Sequence, residues 1–205
     1  MAVAVVFTER KSLLTEARSR NYERLRERIG DASGETVSVA HYEDVDTAQL
    51  RRASSVVLGG SSAPWSAHDA AELERLGDAV GSAGRPVLGI CAGMQLQAVF
   101  AGGTIGRSRT GEHGYLPIRV HDRSDLLRGL LPEAVVFHDH DDEVVMVPPG
   151  FRVLASSADC AVQAIADPVR RWWGTQFHPE EFRPEDPAGE QILRTFFALA
   201  RKVTL

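Results

Sequence analysis

At 205 residues, the chain is long enough to bury a core without staples, and 43% hydrophobic with 25% charged residues is the ordinary composition of a soluble globular protein rather than a membrane or disordered one. Its net charge is −5, and its densest basic stretch, "RSRNYERLRERIG", is interleaved with glutamates. That pattern is a solvated helix rather than a phosphate-tracking stripe, and it argues against a nucleic-acid partner.

The opening "MAVAVVF" carries no basic leader, and its apolar run is too short for a signal segment or a membrane span, so residues 2–7 read as a strand. Helical spacing follows over 13–29, then a strand over 35–42, a short helix near 46–53 and a strand over 54–60. A helix over 66–84, a strand over 85–90 and a helical stretch over 91–103 complete the pattern. Unbroken apolar strands alternating with helices imply a parallel sheet covered on both faces. The expected architecture is a flavodoxin-like, doubly wound α/β fold with a mostly parallel sheet. From residue 104 onward, short β-like runs such as "YLPIRVH", "AVVFHDH", "EVVMVP" and "RRWWGTQFH" alternate with Pro, Gly and Asp, and predict extra antiparallel strands in the C-terminal half. A helix over 187–203 places Ile192, Leu193, Phe196, Phe197 and Leu199 on one side. No repeat or linker divides residues 1–205, so one domain is expected. The only cysteines, Cys91 and Cys160, cannot build a disulfide framework and fit a reducing, cytoplasmic setting.

In open α/β sheets, ligands bind at the carboxyl ends of strands, which directs attention to "GGSSAPW" and "CAGMQ". Gly89-Ile90-Cys91-Ala92-Gly93 has the spacing of a nucleophile elbow, in which small flanking residues permit a tight strand-to-helix turn. A thiol there sits at a helix N-terminus, whose free N–H groups favour thiolate. The pentapeptide alone fits a space-filling buried cysteine equally well. The second element is "QFHPEEF": Pro179 biases His178 toward an extended conformation, in which residues two apart face the same way, so Glu180 can neighbour the imidazole. A carboxylate beside an imidazole fixes its tautomer and stabilises the imidazolium, as a base that activates a thiol requires.

Here the chain resembles the class I, triad-type glutamine amidotransferases. "GRPVLGICAGMQLQAVFAGG" is similar to the family's nucleophile segment and "WWGTQFHPEEF" to its His/Glu segment. Between them, "HDHDDEVVMVPPGFRVLASS" and "GEHGYLPIRV" look like the amidotransferase domain of GMP synthases. The resemblance implies that Cys91 attacks the glutamine carboxamide, His178 relays protons and Glu180 orients the ring, through a γ-glutamyl thioester. It further implies an oxyanion hole from Ala92 and the Gly59-Gly60 loop, with Gln95, Asp139 and His140 at the substrate. Two positions depart from the family. Gly60 is followed by Ser61-Ser62-Ala63-Pro64-Trp65 rather than directly by proline, and Asp139 stands where that branch often has serine. An aspartate suits an ammonium group and repels a carboxylate.

His138 and His140 alternate in "FHDHDDEV", which reads as one wet strand face, with His140 and Asp142 in a loop that structures the pocket; no metal is expected. Cys160 lacks an elbow and a nearby histidine and reads as structural. Trp172 and Trp173 cannot both face inward on a strand, so one is expected in the core and the other over an interface or loop. The function implied is a glutaminase subunit that releases ammonia from L-glutamine for a separate synthetase, since the chain has no phosphate-binding Gly-rich loop of its own. It needs no cofactor, membrane or nucleic acid. The alternatives are a stand-alone γ-glutamyl amide or peptide hydrolase using the same triad and a catalytically silent regulatory subunit. The complete Cys91, His178 and Glu180 set speaks against the last.

Overall fold

The computed structural model describes residues 2–202. Nine strands form one sheet in the order β2-β1-β3-β4-β9-β8-β7-β5-β6. The βα half contributes β1 (Ala2–Phe7), β2 (Thr36–His41), β3 (Val56–Leu58) and β4 (Val87–Ile90), all parallel to their neighbours. They are joined by helices α1 (Glu16–Ser33), α2 (Thr47–Arg51) and α3 (Ala70–Ala83), and α4 (Ala92–Phe100) follows β4. The C-terminal half contributes β5 (Thr104–Val120), β6 (Glu133–Met146), β7 (Arg152–Ser156), β8 (Ala164–Asp167) and β9 (Trp172–Thr175), followed by α5 (Ala188–Arg201). Strand β9 pairs parallel to β4, and from there outward every pairing is antiparallel.

The sheet is covered on both faces because successive strand residues point to opposite sides. Val3 and Val5 of β1 join Val57, Leu88 and Ile90 under Leu25 and Ile29 of α1 and Ile192, Phe196 and Phe197 of α5. The alternate residues Ala4, Val6, Val56, Leu58 and Val87 pack under Leu50 of α2 and Leu76 and Val80 of α3. Fully burying each such aliphatic side chain contributes about 1.5–3 kcal/mol, so the apolar runs commit these strands to the centre of the sandwich.

Several boundaries move for local reasons. Helix α1 starts later than residue 13 because the Thr15 side chain caps the Arg18 N–H, and it runs past 29 to Gly34, whose φ of 67° ends it. The helix expected over 187–203 is present from Ala188, with Val203 outside the described residues; Ala200 completes its buried face, while Leu199 is only half-buried. The runs "YLPIRVH", "AVVFHDH" and "EVVMVP" merge into a long β5–β6 hairpin whose register slips between Arg107 and Glu112. "AVVFHDH" and "EVVMVP" are thus parts of one strand, and His140 and Asp142 lie on β6 rather than in a loop.

The two tryptophans correct the expectation that only one is a core residue. Both are buried, on opposite faces of β9: Trp173 packs on Phe196 and Trp172 on Phe151. β9 sits between β4 and β8 in a sheet with two covered faces, so alternation leaves neither ring outside. Trp172→Ala and Trp173→Ala should each cost about 3–5 kcal/mol in urea-induced unfolding. A loss below about 0.5 kcal/mol, typical of surface sites, would contradict the two-sided burial.

Candidate active site

Strand β4 ends at Ile90 and α4 begins at Ala92, so Cys91 alone makes the turn, at φ 51° and ψ −111°. Such a conformation costs a non-glycine residue of order 1–3 kcal/mol and persists only where its surroundings impose it. Here the neighbours are glycines in forced contact. A β-carbon on Gly89 would lie 2.6 Å from the Gly93 carbonyl carbon, and one on Gly93 would lie 2.2 Å from the Leu58 carbonyl oxygen. Helix α4 therefore rests on β4 and β3 at a separation that only glycine permits. The Cys91 N–H donates to the Thr175 carbonyl (2.8 Å), and the Gln95 N–H donates to the Cys91 carbonyl (3.1 Å). The thiol lies at the N-terminus of α4, 5% exposed. Gln176 Nε2 donates to Sγ at 3.8 Å, and Sγ reaches the Asp139 carbonyl at 3.8 Å.

His178 follows β9 in extended conformation (φ −98°, ψ 92°), and its N–H donates to the Phe137 carbonyl (2.8 Å). Strand alternation is not what aligns Glu180 with it. Pro179 opens a 3-10 turn over Pro179–Glu181, a position where its fixed φ and missing N–H are no handicap, and the turn brings Glu180 Oε1 to 2.8 Å from His178 Nδ1. A β-carbon on Gly60 would lie 3.5 Å from Cys91 Cβ and 3.8 Å from His178 Nε2, so Gly60, the cysteine and the imidazole converge. Burial would lower the basicity of His178, but the charges of Glu180 and of Cys91 outweigh it, and the imidazolium is held well above the usual histidine range.

The glycine loop is placed by residues that the sequence motifs did not single out. The Thr8 hydroxyl reaches the carbonyls of Gly59 and Gly60 at 2.9 Å each, and the Tyr22 hydroxyl donates to the Gly60 carbonyl at 2.7 Å. Because carbonyl and following N–H point oppositely in a trans peptide, fixing the Gly59 carbonyl also aims the Gly60 N–H. The Gly59 N–H donates to Val6 in the sheet (3.0 Å) and is therefore committed, which removes it from the expected oxyanion donors. Glu9 accepts from the Ser62 N–H (2.9 Å) and the Ser61 hydroxyl (3.2 Å), holding the "SSAPW" segment. No short motif flags Thr8, Glu9 or Tyr22; only their positions after β1 and on the inner face of α1 hint at them.

A cleft of about 320 Å³ lies over these groups, lined by Gly60, Cys91, Gln95, Asp139, His140 and His178 among others. Gln95 Nε2 donates to the Asp142 carbonyl (2.8 Å) and to Gln176 Oε1 (3.1 Å), tying α4 to β6 and to the residue that follows β9. The Asp139 side chain is 66% exposed at the cleft mouth, 3.0 Å from His113 Nδ1. That contact raises the affinity of His113 for its proton. The wet-face reading of His138 and His140 is corrected: both are buried, His138 completely, and it is Asp139 and Asp141 that face outward. Burial pushes His138 down to about 4, which leaves its ring neutral at neutral pH. Cys160 is also buried, which pushes its thiol up, and its Sγ donates to the Val162 carbonyl (3.5 Å).

The profile of the family described as "Glutamine amidotransferase class-I" matches residues 15–200. The chain belongs to this family. It is 38% identical over 168 residues to one subunit of the glutamine-hydrolyzing GMP synthase of Sulfolobus acidocaldarius, covering 80% of this chain and 86% of that one. Against the GMP synthase of Symbiobacterium thermophilum it is 43% identical over 127 residues, 62% of this chain but only 24% of that longer protein. The crystal structure of a putative GMP synthase subunit from Thermoplasma acidophilum superposes with a TM-score of 0.79 at 27% identity, covering 97% of this chain and 94% of that one. Among the described residues, no helix of this class-I amidotransferase is long and apolar enough to cross a membrane.

Two measurements probe the site. Gly93→Ala should destabilise the protein by about 1–3 kcal/mol in chemical denaturation, because its β-carbon meets backbone rather than a movable side chain. An unchanged midpoint would mean that α4 is not clamped on β3. By NMR titration, the His178 ring should titrate well above 6.5, and Glu180→Gln should move that titration to lower pH, since the first attractive charge is gone. The proton whose affinity is raised stabilises the fold below the unfolded value and is lost as pH rises through the folded one. An unmoved titration in Glu180→Gln would remove Glu180 from the pair.

Proposed function

We propose that this chain is the glutaminase subunit of a glutamine-hydrolyzing synthetase of the GMP-synthase kind. In this reading Cys91 Sγ attacks the side-chain carbonyl carbon of L-glutamine, and the developing oxyanion is met by the Gly60 and Ala92 N–H groups. His178 gives its proton to the departing nitrogen, the C–N bond breaks and ammonia leaves a γ-glutamyl thioester on Cys91. Water, activated by the same imidazole, then hydrolyses the thioester to glutamate. Glu180 orients the ring and stabilises its charge. Each oxyanion donor is worth roughly 3 kcal/mol in such sites. All 205 residues act as one amidotransferase-like domain, a reading that the single continuous sheet supports.

The observation that carries this reading is the convergence of Cys91, Gly60 and the Glu180-paired His178 in one cleft of a class-I amidotransferase. Similarity to GMP synthase subunits that are chains of their own, and that this chain covers almost end to end, supports delivery of ammonia to a separate synthetase subunit. Gln95, Asp139 and His140 bound the part of the cleft that receives the amino-acid end of the substrate, with Asp139 suited to its ammonium group. The exposed Asp139 also favours a second reading, hydrolysis of other γ-glutamyl amides by the same chemistry.

Ammonia and glutamate release should be followed with glutamine and with a panel of γ-glutamyl compounds, with and without the synthetase subunit. Glutamine turnover that rises with the partner and falls by at least about 10⁴-fold in Cys91→Ser is expected. Faster turnover of γ-glutamyl conjugates than of glutamine would transfer the assignment to the second reading. Inactivity on every substrate with the partner bound would favour a regulatory subunit.

A further inference from the structure

Behind the cleft wall, β5 and β6 bring together three ionisable groups, Glu112, His138 and His140, of which only His140 borders the proposed substrate cleft and none takes part in the proposed bond chemistry. Glu112 stands directly across the hairpin from His140, and His138 stands across from Gly114, which has no side chain to intervene. Residues 138 and 140 share one face of β6, so both rings turn toward the Glu112 carboxylate. Glu112 Oε2 lies 3.2 Å from His140 Nε2 and 3.8 Å from His138 Nδ1, and one potential ligand atom from each residue lies within 4.8 Å of the others.

Protein satisfies this cluster only in part. Both ring nitrogens of His138 and Nε2 of His140 are buried with no aligned hydrogen-bond partner among the described residues. Buried polar atoms are paired in the great majority of cases, so an imidazole with both nitrogens unpaired at full burial implies a water or an ion as partner. A water has two protons to donate and cannot serve the lone pairs of two rings and a carboxylate together. A divalent cation accepts a lone pair from every member at once.

We infer that Glu112, His138 and His140 form a binding site for a divalent transition ion of the zinc type. Two imidazoles and one carboxylate, with a fourth position open, make a donor set that suits zinc. Bonds of about 2.0–2.2 Å in tetrahedral array place ligand atoms about 3.4 Å apart. The 3.2 Å pair already meets that spacing, and the 3.8 Å pair meets it with a shift of a few tenths of an ångström. A second layer is also present: Gln163 Nε2 donates to the same Glu112 oxygen and approaches Ser157 Oγ at 3.2 Å, which orients the carboxylate. His140 Nδ1 meets the Asp142 carbonyl at 3.2 Å, directing Nε2 inward. An ion would reach the cluster from the cleft, which His140 lines.

The site would brace the segment of β6 that supports the reacting groups. Phe137, just before His138, accepts the backbone N–H of His178, and Asp139, between the two histidines, offers its carbonyl to Cys91 Sγ. The inference does not depend on which amide the enzyme cleaves.

Its test is Zn²⁺ binding to the intact, tag-free chain and to Cys91→Ser, the latter to remove the competing thiol. Calorimetry should give one equivalent per chain for Cys91→Ser, and diffraction at the zinc edge should give an anomalous peak between Glu112, His138 and His140. In folded His138→Asn and Glu112→Gln proteins, also carrying Cys91→Ser, affinity should fall by more than about a hundredfold, beyond the effect of losing an outer-layer partner. A peak only at His178 or on the surface overturns the inference. So does absent binding by Cys91→Ser, or affinity unchanged in both folded double variants. The anomalous map decides the matter even if neither double variant folds.

Discussion

The close approach of α4 to β3 and β4 is the constraint on which the site depends. With no β-carbon at Gly93, the helix settles onto the Leu58 carbonyl, and with none at Gly89, the strand passes under the Gly93 backbone. The chain then has one residue in which to turn from strand to helix, and that residue is Cys91 at positive φ. The strain of the turn is carried by apolar burial around it, which is far larger in sum: Leu58, Leu88, Ile90 and Leu96 are all core residues. The same geometry sets the thiol at a helix N-terminus, where unpaired N–H groups favour negative charge.

A second balance operates at the imidazole. Taking His178 out of water opposes its protonation, whereas the paired carboxylate and the neighbouring sulfur favour it, and attraction wins. A 3-10 turn rather than a strand delivers the carboxylate, so the alignment rests on the fixed φ of Pro179 and on backbone anchorage to β6 through Phe137. Tyr22 extends this logic to the glycine loop. Its hydroxyl accepts from the Glu9 N–H and donates to the Gly60 carbonyl, so a helix on one face of the sheet fixes the glycine-loop backbone above it.

The βα half was legible because its elements are local: apolar runs, helical spacing and caps such as Thr15 lie within a few residues of what they determine. Cys91, His178 and Glu180 were legible because each sits in a short motif whose glycines or proline have a mechanical purpose. The resemblance to amidotransferases joined motifs that local reasoning could only leave side by side. What escaped was set by partners remote in sequence. The merging of three short runs into one hairpin depends on cross-strand pairing, the burial of both tryptophans on the presence of a second covered face, and the engagement of the Gly59 N–H on β1. The alternation of His138 and His140 was visible, but which face was wet was not. Glu112, the residue that gives that face its chemistry, arrives from the opposite strand through a register slip that no periodicity announces.

The position of β9 has a consequence for how the enzyme comes into being. Although among the last strands made, it lies in the middle of the sheet, and its final carbonyl, on Thr175, secures the backbone of the elbow formed much earlier in the chain. Non-local pairings of this kind form late, after the entropy of closing a long loop has been overcome. A chain emerging from synthesis therefore carries its cysteine for a time without the imidazole that follows β9. The order of the strands acts as a safety catch: the paired thiol exists only in a chain whose sheet is whole.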